Sequence, residues 1–239
     1  MKFYESLRAV PGITSVVGSG GKSSLLELLG HELVEDGATV ALATSTHFLP
    51  FGDMTRLDGS DLNALGGILG RDRMVCVGSP SCERTPQGQV KLGPPSCGFG
   101  ELAGIADYVL VEADGSKRLP LKAHASWEPV IPEGNGQTVL VLGASGFGHP
   151  VEEVVHRSDL LCQRLGCGLE DAATPELIAR ELAFEWREGL LTFDRVLVNQ
   201  VDEAGGPTAD ATRTLAGALA RLDIDCPVVA GSLGQGVCW

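Results

Sequence analysis

Apolar, mostly β-branched runs recur along the chain at 13–17, 39–43, 74–77, 108–112, 138–142, 195–198 and 227–230. Most are apolar at every position instead of every second one, the pattern of a strand covered on both faces. Between some of these runs the apolar positions change to helical spacing. Leu25, Leu26, Leu28, Leu29 and Leu33 show it first, and the spacing predicts helices over 22–36, 152–165, 174–187 and 208–222. Thr174-Pro175-Glu176 opens the third of these with a capping hydroxyl and a proline at the first helical position. Alternating strands and helices predict an α/β fold: a doubly wound, mostly parallel sheet with helices on both faces. Two stretches break the alternation. Residues 79–98 are rich in Gly, Pro, Ser and Cys and read as a long loop or small hairpin, while 115–137 are irregular and polar.

The first strand–helix junction carries the most specific chemistry. Val16-Val17-Gly18-Ser19-Gly20-Gly21-Lys22-Ser23-Ser24 reads as a strand end, a glycine-rich loop and a lysine–hydroxyl pair opening a helix. Glycines let backbone N–H groups approach phosphate oxygens, Lys22 adds a point charge, and Ser23 can ligate Mg2+. The spacing departs from the usual P-loop: only two residues separate Gly18 from Gly21. This shorter loop resembles that of Mur-type amide ligases. The expected organisation is a single P-loop-like nucleotide-binding domain over 1–239, with a smaller C-terminal subdomain from about 150 as the variant.

Charge narrows the partners. With 18 basic and 31 acidic residues, the formal net charge is -13, which argues against nucleic acid or an anionic membrane surface. Any phosphate must be held by local groups. No apolar run reaches the about 20 residues of a membrane span, and 1–6 lack a signal-peptide core, so the expected location is cytoplasmic. The seven cysteines have no paired C-x-x-C spacing and read as reduced thiols. A sulfur-, selenium- or metal-handling role for Cys76, Cys82 and Cys97 is the alternative.

Other candidates lie at predicted strand ends. Glu112 and Asp114, closing the run 108–112, are placed where P-loop proteins keep a carboxylate that supports Mg2+. Thr44-Ser45-Thr46-His47 follows the second strand, with Thr46 and His47 as second-rank groups near a terminal phosphate. Asn199-Gln200-Val201-Asp202 resembles a guanine-recognition element, with glutamine in place of its lysine, making Asn199 and Asp202 candidate base-binding residues. Lys117, Arg118, Lys122, His124 and Glu128 form a mostly basic cluster suited to an anionic substrate or the terminal phosphate, and His156-Arg157 is a similar pair on an expected helix.

Several stretches together resemble one family. They are Val17 to Ser24, Thr44 to His47, the block Val109-Leu110-Val111-Glu112-Ala113-Asp114-Gly115 through Leu119-Pro120-Leu121-Lys122 to Glu128-Pro129-Val130-Ile131-Pro132, and Val155-His156-Arg157 with Asn199 to Asp202. Their order and context are similar to the YqeC family of selenium-dependent molybdenum hydroxylase accessory proteins, also called selenium cofactor biosynthesis proteins. Ser23, Ser24 and Ser45 stand where other members tend to carry threonine, which preserves the hydroxyl. The resemblance implies a role in maturing the selenium-containing centre of molybdenum hydroxylases, with such a hydroxylase or its cofactor as partner, but no particular reaction. The expected activity is Mg2+-dependent binding, and hydrolysis, of ATP or GTP. In that scheme Gly18, Ser19, Gly20, Gly21, Lys22, Ser23 and Ser24 hold the phosphates. Lys22, Asp114, His47 and Lys122 serve catalysis, and Ser23, Glu112 and Asp114 serve the metal. A non-catalytic, nucleotide-gated chaperone or delivery factor and a kinase or ligase acting on a small anion remain the alternatives.

Overall fold

The computed structural model describes residues 1–85 and 87–239. In chain order its strands are β1 (Gly12–Gly18), β2 (Val40–Thr44), β3 (Arg56–Leu57), β4 (Met74–Val77), β5 (Pro80–Arg84), β6 (Val90–Leu92), β7 (Tyr108–Glu112), β8 (Leu121–Lys122), β9 (Asn135–Gly143), β10 (Val155–His156), β11 (Arg195–Asn199), β12 (Val228–Ser232) and β13 (Val237–Cys238). Its helices are α1 (Phe3–Ser6), α2 (Lys22–Glu35), α3 (Leu62–Asp72), α4 (Phe99–Ala103), α5 (Val151–Val154), α6 (Ser158–Leu165), α7 (Pro175–Arg187) and α8 (Pro207–Arg221).

The apolar runs pair into one sheet of order β13-β12-β11-β9-β1-β7-β2-β4-β3. Every neighbouring pair is parallel except β12–β13. The chain leaves β1 for β2 on one side and later returns to place β9 on the other. The strand order therefore reverses at β1, and the carboxyl ends part there into a crevice. β5 and β6 form an antiparallel hairpin, as the composition of 79–98 allowed.

Side-chain alternation decides what each face of the sheet meets. Val16, Leu42, Leu110, Val139, Val141 and Leu197 face α2, whose Leu25, Leu26, Leu29 and Leu33 are at most 2% exposed. On the opposite face, Ala41, Ala43, Val109 and Val111 pack with α3 and α4. Farther along that face, Leu140, Leu142, Val196 and Val198 pack with α5–α8. Each fully buried aliphatic side chain contributes about 1.5–3 kcal/mol. Glu112 shares the parity of Leu110, so the last side chain of β7 is directed toward the first turn of α2. No helix among the described residues is long and apolar enough to cross a membrane.

The expected continuous helix over 152–165 is broken. Val155-His156 leaves the helix to pair in parallel with Leu121-Lys122, and Arg157 takes a left-handed φ of 64° before α6 begins. His156-Arg157 is thus a strand–turn pair, not a helical one. α3 was not expected, because Gly66, Gly67 and Gly70 lower its helix propensity by about 1 kcal/mol each. Burial of Leu65 and Leu69 and the Asp61 cap, which accepts from Asn63 N and Ala64 N, hold it nonetheless.

Candidate functional site

The loop after β1 is shaped by glycine where no other residue fits. Gly20 has φ of +90°, and a Cβ there would lie 2.4 Å from Gly143 N. Gly21 has φ of +134°, with Asn199 Nδ2 only 2.5 Å from such a Cβ. Side chains then fix the loop's polar groups. Gly18 N donates to Asp114 Oδ2 at 2.9 Å, Lys22 Nζ donates to Gly18 O at 2.8 Å, and Asn199 Nδ2 donates to Gly20 O at 2.7 Å. Ser19 is fully buried and its hydroxyl donates to Leu119 O.

Ser23 Oγ donates to Glu112 Oε2 at 2.7 Å, the contact that strand parity sets up. Burial raises the Glu112 carboxyl above its ordinary value, against the lowering effects of Lys22 and the Ser23 hydrogen bond. A hydroxyl and a carboxylate oxygen side by side are hard donors of the kind Mg2+ takes, with remaining positions filled by phosphate and water. A nearby cation would in turn favour the ionised carboxylate. The residues present therefore fit the metal.

Asp114 is turned inward. It is fully buried and outside the cleft lining, and receives Lys122 Nζ and His124 Nε2 on Oδ2, each at 2.9 Å, with Lys22 Nζ 3.2 Å from Oδ1. The Lys22–Oδ1 approach is an ion pair without hydrogen-bond alignment, leaving Oδ1 otherwise unpartnered. Burial would raise its carboxyl, but Lys22, His124 and Lys122 hold it well below the usual range. Lys122 is saturated as well, with Glu128 Oε1 at 2.7 Å and Gly115 O at 2.6 Å. His124 bridges onward through Nδ1 to Glu185 Oε2 at 2.9 Å. Although burial opposes its charge, the hydrogen bonds to Asp114 and Glu185 push its pKa up to about 9. Beyond it, Arg164 contacts Glu185 and Glu181, and donates to His124 O at 2.7 Å.

A cleft of about 1030 Å³ opens over the loop. Gly20, Gly21, Lys22, Ser23, Ser24, Glu112, His47 and Asn199 all line it. His47 sits on its far side, with Nδ1 3.4 Å from Glu83. Gly18, Ser19, Asp114, Lys122 and Asp202 are outside the lining. Asp202 is exposed and accepts from Ser232 Oγ at 2.7 Å, while Asn199 Oδ1 accepts from Leu233 N at 3.0 Å. Asn199 thus joins the phosphate loop to the turn after β12. His156, its pKa pushed down to about 4 by burial and the neighbouring Arg157 and Lys122, borders the cleft too.

Glu185 and Ser116, the latter 3.3 Å from Lys22 Nζ, escaped sequence reasoning. A signal for Glu185 existed: with Glu181 it occupies positions of α7 whose neighbours Ile178 and Leu182 face the core. Cys167 Sγ lies 3.5 Å from Cys162 Sγ, away from the candidates Cys76, Cys82 and Cys97 in sequence. All seven cysteines are free, Cys76 is buried with its thiol pushed up to about 11 by burial, and no group of three or more His, Cys, Asp or Glu suited to a metal occurs among the described residues.

Fold and site together define a P-loop-type α/β protein. The chain belongs to the YqeC family, whose pattern it matches over residues 14–159. It is 34% identical over 151 residues to the YqeC protein of Escherichia coli (strain K12), an alignment spanning 62% of this chain and 58% of that protein. The chain therefore spans less than two thirds of that relative's length. Among solved structures, it is similar to the hydrogenase maturation factor HypB from Archaeoglobus fulgidus at 14% identity and TM-score 0.40, covering 97% of this chain and 86% of that one. The signal recognition particle receptor FtsY from Elizabethkingia anophelis gives 14% identity and TM-score 0.44, covering 92% and 57%.

Proposed function

We propose that this protein binds and hydrolyses a Mg2+–nucleoside triphosphate, and that it does so in maturing the selenium-containing cofactor of molybdenum hydroxylases. The observation that carries the nucleotide reading is the junction of β1, α2 and β7. There a positive-φ glycine loop, Lys22 and the Ser23–Glu112 pair share one cleft. Backbone N–H groups of Gly20, Gly21 and the first turn of α2 would receive phosphate oxygens, helped by the helix dipole. Lys22 would offset charge developing on the transferred phosphoryl group. Ser23 and Glu112 would hold Mg2+, which neutralises and orients the phosphates when bound. Asp114 and Lys122 act from behind, aligning Gly18 N and the Lys22 ammonium, and His47 faces the space beyond the terminal phosphate. Asn199, which lines the cleft, and Asp202, outside its lining, would take the base side. The maturation role is supported by the family and by the Glu112–Pro132 block.

Calorimetry with ATP and GTP in the presence of Mg2+ tests the nucleotide reading. Lys22→Ala is expected to weaken binding by at least about tenfold, or ~1.4 kcal/mol. A folded variant with unchanged affinity refutes it. A guanine preference lost in Asp202→Ala assigns that residue to the base, and equal binding of both nucleotides removes it from that role. Phosphate release measured with and without a selenium-dependent hydroxylase tests the maturation role, which falls if neither turnover nor hydroxylase activation responds.

A further inference from the structure

The chain is acidic overall, yet Lys22, Arg84, Lys91, Lys117, Arg118 and Arg157 line a single cleft. Three of these cations have carboxylate partners: Lys22 with Asp114, Lys91 with Glu83 and Arg157 with Glu128. Among the described residues, Arg84, Lys117 and Arg118 have none. Arg84 donates only to Gly88 O, at 3.2 Å.

The cleft is also long. It runs along the carboxyl ends from Asn199 and Gln200 after β11 to His47 and Leu49 after β2, with the β1 loop at its centre. β11 and β2 lie four strand spacings apart in the sheet order, and at about 4.8 Å each that is roughly 19 Å. A nucleotide whose base points toward Asn199 fills the β11 half and leaves the β2 half. The volume, about 1030 Å³, sits at the upper end of the roughly 300–1,000 Å³ that one small ligand uses.

Arg84 borders that remaining half, while Lys117 and Arg118 stand at the rim of the β1 loop, between Ser116, 3.3 Å from Lys22 Nζ, and Leu119, whose carbonyl accepts from Ser19. Lys117 and Arg118 follow β7 with left-handed φ of 49° and 64°. Residues in such conformations persist where the surroundings over-determine them. Here a turn closed by Leu119 N donating to Ser116 O at 3.0 Å keeps both side chains exposed at the cleft. Arg84 arrives from the β5–β6 hairpin. Reciprocal hydrogen bonds of 3.0 and 2.9 Å between Phe48 and Leu92 fasten that hairpin to the chain after β2.

We propose that the β2 half of the cleft is a second ligand site, taking a small anion with two or more negative charges on Arg84, Lys117 and Arg118 while the nucleotide occupies the loop. This rests on the nucleotide reading above. The test is calorimetric: inorganic phosphate and succinate are each titrated into protein saturated with Mg2+ and a non-hydrolysable nucleotide analogue. These probes separate phosphate-bearing from carboxylate-bearing ligands. One further equivalent of at least one probe is expected to bind. The double variant Lys117→Asn/Arg118→Asn, chosen because asparagine tolerates left-handed φ, should lower that affinity by at least about tenfold. Arg84→Ala, on a separate element, should do the same while keeping nucleotide affinity within about twofold. Displacement of the analogue by the probes, a parallel loss of nucleotide affinity in Arg84→Ala, or no saturable binding overturns the proposal. If the analogue itself fails to bind, the nucleotide reading falls. Titration of the same probes into wild type and variants alone then still decides the basic wall, which is refuted if they bind equally.

Discussion

Asp114→Asn is the substitution with the largest expected effect for the smallest change in shape. One fully buried carboxylate faces Gly18 N, Lys22, Lys122 and His124, each within 3.2 Å. Asparagine preserves the volume but removes the charge. Two ammonium groups and a protonated imidazole then surround a neutral amide, away from water. Removing one member of a buried ion pair costs about 3–5 kcal/mol. Against a total stability of about 5–15 kcal/mol for a domain, this is a substantial fraction. Urea unfolding at pH 7 reads the loss, with an unchanged slope confirming the same cooperative transition. A second readout is specific to the arrangement. His124, pushed up to about 9 by Asp114 and Glu185, should titrate at lower pH in the variant when followed by NMR. A loss below about 1 kcal/mol, with His124 still titrating near 9, would refute the assignment of Asp114 as the centre of this network.

Gly20→Ala should disable nucleotide binding through the backbone: φ of +90° and a Cβ 2.4 Å from Gly143 N leave only main-chain movement as relief, and binding within about twofold of wild type would contradict this. Asn199→Ala should weaken binding as well as cost about 1–3 kcal/mol in unfolding experiments, since Gly20 O and Leu233 N each lose their partner; an effect on neither would sink the coupling. Glu181 gives a pH signature. Burial and Glu185 push it up to about 7 from 4.5, with Arg164 opposing. Because the folded value is the higher one, its stabilising contribution is complete below about pH 4.5 and is lost as pH rises through 7, a change of at most about 3 kcal/mol. Glu181→Gln should flatten that slope in urea unfolding series, and identical pH profiles for both proteins would reject the mechanism.

The sheet was legible because parallel strands buried on both faces leave uninterrupted apolar runs. The observed β1, β2, β4, β7, β9, β11 and β12 all fall on runs read from sequence. The phosphate loop was legible for a related reason: its glycines are demanded by local backbone geometry, which spacing records. What failed was set by distant partners. Val155-His156 carries a helix-compatible pattern, and only Leu121-Lys122, over thirty positions earlier, pulls it into a strand pair. Glu112 and Asp114 share strand parity and looked equivalent. The chain leaves the sheet between them, so that one meets Ser23 and the other is enclosed by three cationic side chains. Asn199 and Asp202 looked like one recognition element. In the structure Asn199 bonds Gly20 O and Leu233 N and Asp202 bonds Ser232, contacts that no local spacing encodes.

The double attachment of Asn199 bears on the heat and speed of ligand exchange. Its amide clamps Gly20 on one side and the turn at Leu233 on the other, while Lys22 and Asp114 hold Gly18. The cradle is therefore ordered during folding, and little conformational entropy remains to be lost when a ligand arrives. Association should proceed with a small entropic penalty and little segmental rearrangement. Amide protons of Gly18 and Ser19, which donate to Asp114 Oδ2 and Val141 O, should accordingly exchange with solvent at rates set by opening of the β1–α2 junction, not by independent fluctuation of a loose loop.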